Sequence, residues 1–188
     1  MTLDVYFRQC VGIDISKDKF TACLYMYDRA GDVGCCTKSI DFANTKSGFN
    51  QMVRWSRKEA VKSHPLTYLM EPTGVYYEHL AYHLHKIGHT VYVVLPNKAR
   101  KFCEAEGIKT KTDAMDARCL ALMGCVSRKL KPWSPPAAIY RELRQMTRFH
   151  ADLCEVRTSV ANRMEALDHM EGTAKSVRRN CEKLLQEI

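Results

Sequence analysis

Two short apolar runs, Leu66–Met70 (LTYLM) and Thr90–Leu95 (TVYVVL), flank a segment with helical spacing. This alternation constrains the fold more than any other feature. TVYVVL is continuous enough to be a strand buried on both faces, as in a parallel sheet. The segment between, Val75–Ile87 (VYYEHLAYHLHKI), repeats its apolar residues at helical spacing and closes at Gly88, a good C-terminal cap. Upstream, Cys10–Ile15 (CVGIDI), Phe20–Tyr27 (FTACLYMY) and Cys35–Phe42 (CCTKSIDF) are separated by turn-forming stretches and read as an antiparallel meander. Asn44–Ser47 offers caps for a helix from about Gly48 to Val61, which His64-Pro65 ends. After TVYVVL, Pro96-Asn97 leads into a short basic helix, Lys98–Ala105. A meander followed by alternating helices and strands predicts an α/β fold: a mixed five-stranded sheet, partly antiparallel and partly parallel, with flanking helices.

From Ile139 the period changes. Leu143, Met146, Phe149, Leu153, Val156, Val160, Met164 and Leu167 follow at steps of three and four, which predicts one long amphipathic helix over 139–170. Trp133-Ser-Pro-Pro136 cannot continue a helix and reads as a linker. The expected organisation is a domain over 1–131, a linker over 132–138, and a coiled-coil-like connecting segment over 139–188. Such a stripe packs on its own domain or on another copy; its place beyond a linker favours a homo-oligomer, a dimer or higher. A further helical pattern follows Gly172, and the sequence ends at Glu187-Ile188 without a cap, as a truncated chain would.

No run of eighteen apolar residues predicts a membrane span, and the opening MTLDVYFRQC, with Asp4 and no apolar core, is a poor signal peptide. The nine cysteines show no C-x-x-C pair. They predict buried free thiols in a reducing cytoplasm rather than a disulfide framework or zinc site. Residues 1–96 hold 11 Lys and Arg against 9 Asp and Glu, whereas residues 97–188 hold 18 against 12. A basic excess of this kind suits a polyanion, although it also serves solubility.

Against that background the acidic residues stand out. Asp14 sits mid-strand in VGIDI, where a buried charge without partners is costly. Glu71 stands at the carboxyl end of LTYLM, and ligand sites in open α/β sheets gather at such ends. Asp113 and Asp116, in KTDAMDAR, share a helix face one turn apart behind a candidate cap, Thr112. Taken singly, each has an ordinary explanation: an edge residue, a loop residue, a helix start favouring negative charge. Together they give the layout of a ribonuclease-H-like core, with carboxylates from separate elements at one sheet edge. All-oxygen donors suit Mg²⁺ or Mn²⁺. Lys98, Arg100, Lys101, Lys109 and Lys111, with Arg118, would then hold a phosphate backbone over that edge.

Four ordered segments carry a family resemblance: GIDISKDKF, EPTGVYYEHLAYHL, VVLPNKARKF and KTKTDAMDARCLALM. Over about residues 11–170 the chain resembles the DEDD transposases of insertion sequence family 110, close to the Holliday-junction-resolvase (RuvC-like) branch of the ribonuclease H superfamily. The resemblance implies an acidic tetrad at Asp14, Glu71, Asp113 and Asp116, and Mg²⁺-dependent (Mn²⁺ as substitute) DNA cleavage and strand exchange. It also implies a structured bridge RNA pairing with donor and target DNA, in a bacterial or archaeal cytoplasm. Transposases of this family continue into a second domain bearing a nucleophilic serine. Ser127, Ser134, Ser159 and Ser176 match no motif of that domain, so none is assigned.

Other signals are weaker. His79 and His83 have i, i+4 spacing near His85 and His89, without a metalloprotease pattern. GIKTKT lacks the spacing of a phosphate-cradling loop. Two alternatives remain beside an RNA-guided recombinase: a resolvase-like nuclease acting with water, and a non-catalytic fragment that binds nucleic acid and dimerises.

Overall fold

The N-terminal hairpin is built from β1 (Phe7–Ile15) and β2 (Lys19–Asp28), paired antiparallel through the register Asp14↔Thr21 and Ile15↔Phe20. The Ser16 amide and hydroxyl both donate to the Lys19 carbonyl and close the turn. In the computed structural model, which describes residues 7–28, 30, 32–72, 74–108, 112–172 and 174–188, this hairpin organises the sheet.

The third strand of the meander departs from expectation. It is split into β3 (Val33–Cys36) and β4 (Ile40–Ala43), so among the described residues the sheet has six strands rather than five. Thr37, Lys38 and Ser39 face only Cys23 and Leu24 of β2, a bulge of one extra residue. At the bulge the Thr37 hydroxyl accepts the Leu24 amide proton at 3.1 Å, and the Thr37 amide donates to the Leu24 carbonyl at 2.9 Å.

Helix α1 (Lys46–Glu59), capped by the Thr45 hydroxyl, leads to β5 (Leu66–Met70), which pairs parallel with β1. Helix α2 (Glu78–Lys86) then leads to β6 (Thr90–Val93), parallel to β5. The order β3-β2-β1-β5-β6, with β4 also on β2, makes a mixed α/β sheet, antiparallel from β1 to β3 and parallel from β1 to β6. Helices α3 (Pro96–Ala105) and α4 (Asp113–Val126) complete the unit.

Period-two alternation gives the sheet two faces. Val11, Ile13, Ile15, Tyr68 and Met70 point into a core with α1 and α2. Cys10 and Leu69 point into a second core with Ala99 of α3 and Leu120 and Met123 of α4. Helix α4 is apolar almost all round, as a helix laid deep on a sheet must be.

The expectation of free thiols throughout is corrected here: a disulfide joins Cys103 of α3 to Cys119 of α4, with Cα atoms 6.0 Å apart. Packing of the two helices brings the pair together, and their separation of 16 residues carries no motif. Burial pushes the Cys10 thiol up to about 12 and that of Cys23 to about 11, so neither is a ready nucleophile.

The chain divides into two compact units between Pro135 and Pro136. Trp133, placed in the linker by sequence, is packed in the first unit: its amide donates to the Val91 carbonyl and its ring meets Tyr82 and His85 edge-on. The second unit is α5 (Ala138–Asp168) with α6 (Lys175–Glu187), tied by Arg178 to Asp168. No residue of α5 is buried. At 1.5 Å per residue, α6 is roughly 20 Å long against about 46 Å for α5, so it covers less than half of it. Leu153, Val160, Met164 and Leu167 are partly buried, whereas Leu143, Met146 and Phe149 are exposed. Among the described residues no helix is long and apolar enough to cross a membrane.

Candidate active site

Packing of α4 on β1 sets the site. A β-carbon on Gly12 would overlap the Ala117 carbonyl oxygen and the Ala121 amide nitrogen, and one on Gly124 would overlap the Cys10 side chain. These glycines let helix and strand backbones touch. Cys10 lies under Gly124, and Gly12 lies under Ala117 and Ala121, so α4 runs antiparallel to β1. Two residues further along β1, about 6.6 Å, match roughly four residues back along α4. That step brings Asp14, on the same face as Cys10 and Gly12, to the first turn of α4, which holds Asp113 and Asp116.

Glu71 belongs to the same edge. Ile13 and Met70 are register partners in the parallel β1–β5 pair, and Asp14 and Glu71 each come one residue later. Glu71 shares the α4 face with Leu69, whose Cβ is 3.6 Å from a β-carbon built on Gly124. Thr112 caps α4 as expected, its hydroxyl accepting the Met115 amide at 3.2 Å. Asp14, Glu71 and Asp116 are partly buried, and Asp113 is exposed.

Sequence reading missed the neighbouring row. Asp14 pairs with Thr21, and Thr21 pairs with Asp41 of β4, so all three lie on one face across three strands. The Thr21 hydroxyl donates to Asp41 Oδ1 at 2.6 Å. Lys19 Nζ is 2.9 Å from Asp41 Oδ2 and 3.6 Å from Asp113 Oδ2. The hydrogen bond between them raises the Lys19 pKa and holds Asp41 below the usual carboxylate range. Ser39 donates to the Ala114 carbonyl at 3.2 Å, fastening the bulge to the start of α4. The signal available in the sequence was the polar alternation Lys19, Thr21 on a strand otherwise apolar.

Among the described residues, no three His, Cys, Asp or Glu side chains are gathered closely enough to hold an ion. The four carboxylates lie at one edge of the sheet without closing into a cage. Their donor set nonetheless fits a hard divalent cation, being oxygen throughout. The Lys19 ammonium against Asp113 shows that positive charge is accommodated at this edge.

Lys98, Arg100 and Lys101 are exposed on α3, which starts just beyond the carboxyl end of β6 and so on the same edge as Glu71. Arg118 is exposed on α4. Lys109 and Lys111 lie outside the described residues. Three of the four clustered histidines have separate surroundings: the ring of His83 lies 5.6 Å from Phe49, that of His89 4.9 Å from Tyr68, and that of His85 5.9 Å from Trp133.

The family model for DEDD transposases of insertion sequence family 110, described as a transposase, matches residues 11–171. Pilin gene-inverting proteins of Moraxella bovis and Moraxella lacunata are each 33% identical over 114 residues, 61% of this chain and 33% of theirs. The matched region thus spans about a third of the length of these relatives. Among solved structures, Thermus thermophilus RuvC is similar with a TM-score of 0.48 and 13% identity, covering 67% of this chain and 100% of that one. The same protein in complex with a Holliday junction substrate gives 0.45 and 12%, with the same coverage.

Proposed function

Because this chain belongs to the DEDD transposase family of insertion sequence family 110, we propose that the edge bearing Asp14, Glu71, Asp113 and Asp116 cleaves DNA for recombination. The observation that carries this reading is the seating of α4 on Gly12, which delivers two first-turn aspartates to the strand bearing Asp14. Divalent Mg²⁺ or Mn²⁺ at such an edge supplies activation of the attacking oxygen and stabilisation of the leaving one. Asp14 and Glu71, on neighbouring strands, would be the fixed ligands. Asp113 and Asp116, on a capped helix, would complete the set from the opposite side.

The basic residues Lys98, Arg100, Lys101, Lys109, Lys111 and Arg118 would hold the phosphate backbone, without reading its sequence. The family's bridge RNA is the proposed guide. The exposed stripe Leu143, Met146 and Phe149 on α5 is the proposed contact with a second copy, since an apolar patch of this extent favours cover. A resolvase-like nuclease is supported by the same edge and differs in using water as the nucleophile.

The test is cleavage of four-way and linear DNA with Mg²⁺ or Mn²⁺. Asp14→Asn and Asp116→Asn should each lower cleavage by at least about 100-fold while DNA binding is kept or tightened. Loss of binding in parallel with cleavage would instead point to a binding module. Joining of exchanged strands, in the presence of the RNA, separates recombinase from resolvase.

A further inference from the structure

We infer that Lys19 is an exchangeable counter-ion of the acidic edge: it screens Asp113 until a divalent cation arrives, then turns its charge to the bound phosphate backbone. The inference rests on the reading of that edge as a metal site. Lys19 Nζ touches two carboxylates from different elements, Asp41 of β4 at 2.9 Å and Asp113 of α4 at 3.6 Å. The two contacts are unequal. Asp41 is a built anchor, because its second oxygen accepts the hydroxyl of Thr21, a residue only 4% exposed. Asp113 is the looser partner and is also a proposed metal ligand. A cation bound there displaces the ammonium from Asp113 without releasing it from Asp41.

The surroundings give the displaced charge somewhere to act. The Lys19 side chain is 52% exposed. It opens on a shallow surface cleft also lined by Thr21, Ser39, Asp41, Thr112 and Asp113. A phosphate diester over the acidic edge would meet an ammonium held in place by Asp41. The lysine therefore has two successive partners, and Asp41 determines that it stays for the second. Lys19 and Asp41 are positioning residues in this scheme, not metal ligands.

A merely structural salt bridge makes a different prediction, which permits a test. Mn²⁺ is titrated into the 188-residue chain by calorimetry, with wild type, Asp116→Asn, Lys19→Met and Asp41→Asn compared. Lys19→Met removes the competing charge and should tighten Mn²⁺ by about 3–10-fold. Asp41→Asn leaves Lys19 with Asp113 alone and should weaken Mn²⁺ by about 3-fold. With a fluorescent four-way DNA junction and Mn²⁺ present, Lys19→Met should lower the log–log salt slope of binding by about 0.7–0.9, one phosphate contact. Thermal melts should be nearly unchanged, since exposed pairs contribute little to folding.

Unaltered Mn²⁺ affinity in Lys19→Met, or both variants weakening it alike, would overturn the inference while leaving the metal site intact. Wild type that takes up no Mn²⁺, or takes it up as well with Asp116→Asn, would overturn the metal reading itself and the inference with it.

Discussion

The two faces of the central sheet are made from alternate residues of the same strands, yet they are built to different ends. Toward α1 and α2 the strands present Val11, Ile13, Ile15, Phe20, Tyr68 and Met70, large apolar side chains almost wholly removed from water. Toward α4 the same strands present Cys10, Gly12 and Leu69, with Asp14 next on that face of β1 and Glu71 just past the end of β5. The first face stabilises by burying area, at about 25 cal/mol per Å². The second gives up area so that the backbones of β1 and α4 can touch at Gly12 and Gly124, beside the carboxylates of the proposed site. A single period-two repeat thus carries a packing face and the face of the proposed site, here called the chemical face, and the two should respond differently to change.

The largest expected effect lies on the chemical face. Gly12→Val puts a branched side chain against α4 backbone atoms, which cannot yield as a flexible side chain can. It should cost more than about 3 kcal/mol in urea denaturation and abolish cleavage by displacing Asp113 and Asp116. The neighbouring Ile13→Val, on the packing face, should cost only about 1 kcal/mol and leave cleavage unchanged. Equal costs for the two substitutions would show that the faces are not specialised.

How much of this was legible depends on whether the signal is local. Thr112 as cap, Asp113 and Asp116 on one helix face, and the LTYLM strand ending before Glu71 all follow from local rules, and the structure keeps them. Asp14 was visible because a carboxylate interrupts an apolar strand. Gly12 carried no signal, since a glycine in a strand reveals its use only when the helix above it is known. The row Asp14, Thr21, Asp41 needs the register across three strands, which sequence alternation alone does not set. The break in the third strand comes with a side-chain bond, Leu24 amide to Thr37 hydroxyl, that strand alternation does not announce. The Cys103–Cys119 pair likewise exists only through the packing of α3 on α4.

That disulfide sharpens the comparison, because it staples the helical layer over the chemical face, whereas α1 and α2 are held by packing. Closing a loop of this length should contribute about 2–3 kcal/mol. A phosphine reductant should therefore lower the denaturation midpoint of the wild type and leave Cys103→Ser unaffected. Identical midpoints with and without reductant, with two more titratable thiols after reduction, would mean that α3 and α4 hold by packing too.

The smallest effect separates the faces by pH. His89 lies on the packing side, its ring against Tyr68, and its Nε2 accepts from Arg57 at 3.1 Å, because a guanidinium only donates. Burial, then the charge of Arg57, holds its pKa below the usual 6.5. The unfolded chain therefore takes up the proton first. The stability this group contributes is complete above about 6.5 and is lost as pH falls through the lower, folded value. His83, lowered mainly by burial, behaves alike. On the chemical face Asp41 is held below its ordinary 3.8, chiefly by the Lys19 hydrogen bond. Its contribution is complete above that value and is lost only in stronger acid. Urea midpoints measured from pH 7.5 down to 5.5 should fall slightly in the wild type and less in His89→Gln, which keeps an acceptor for Arg57 without titrating. Asp41→Asn should run parallel to the wild type throughout that range, and the gap between them should close only below about pH 4. A flattened slope in Asp41→Asn between pH 7.5 and 5.5 would assign the neutral-range titration to the wrong face.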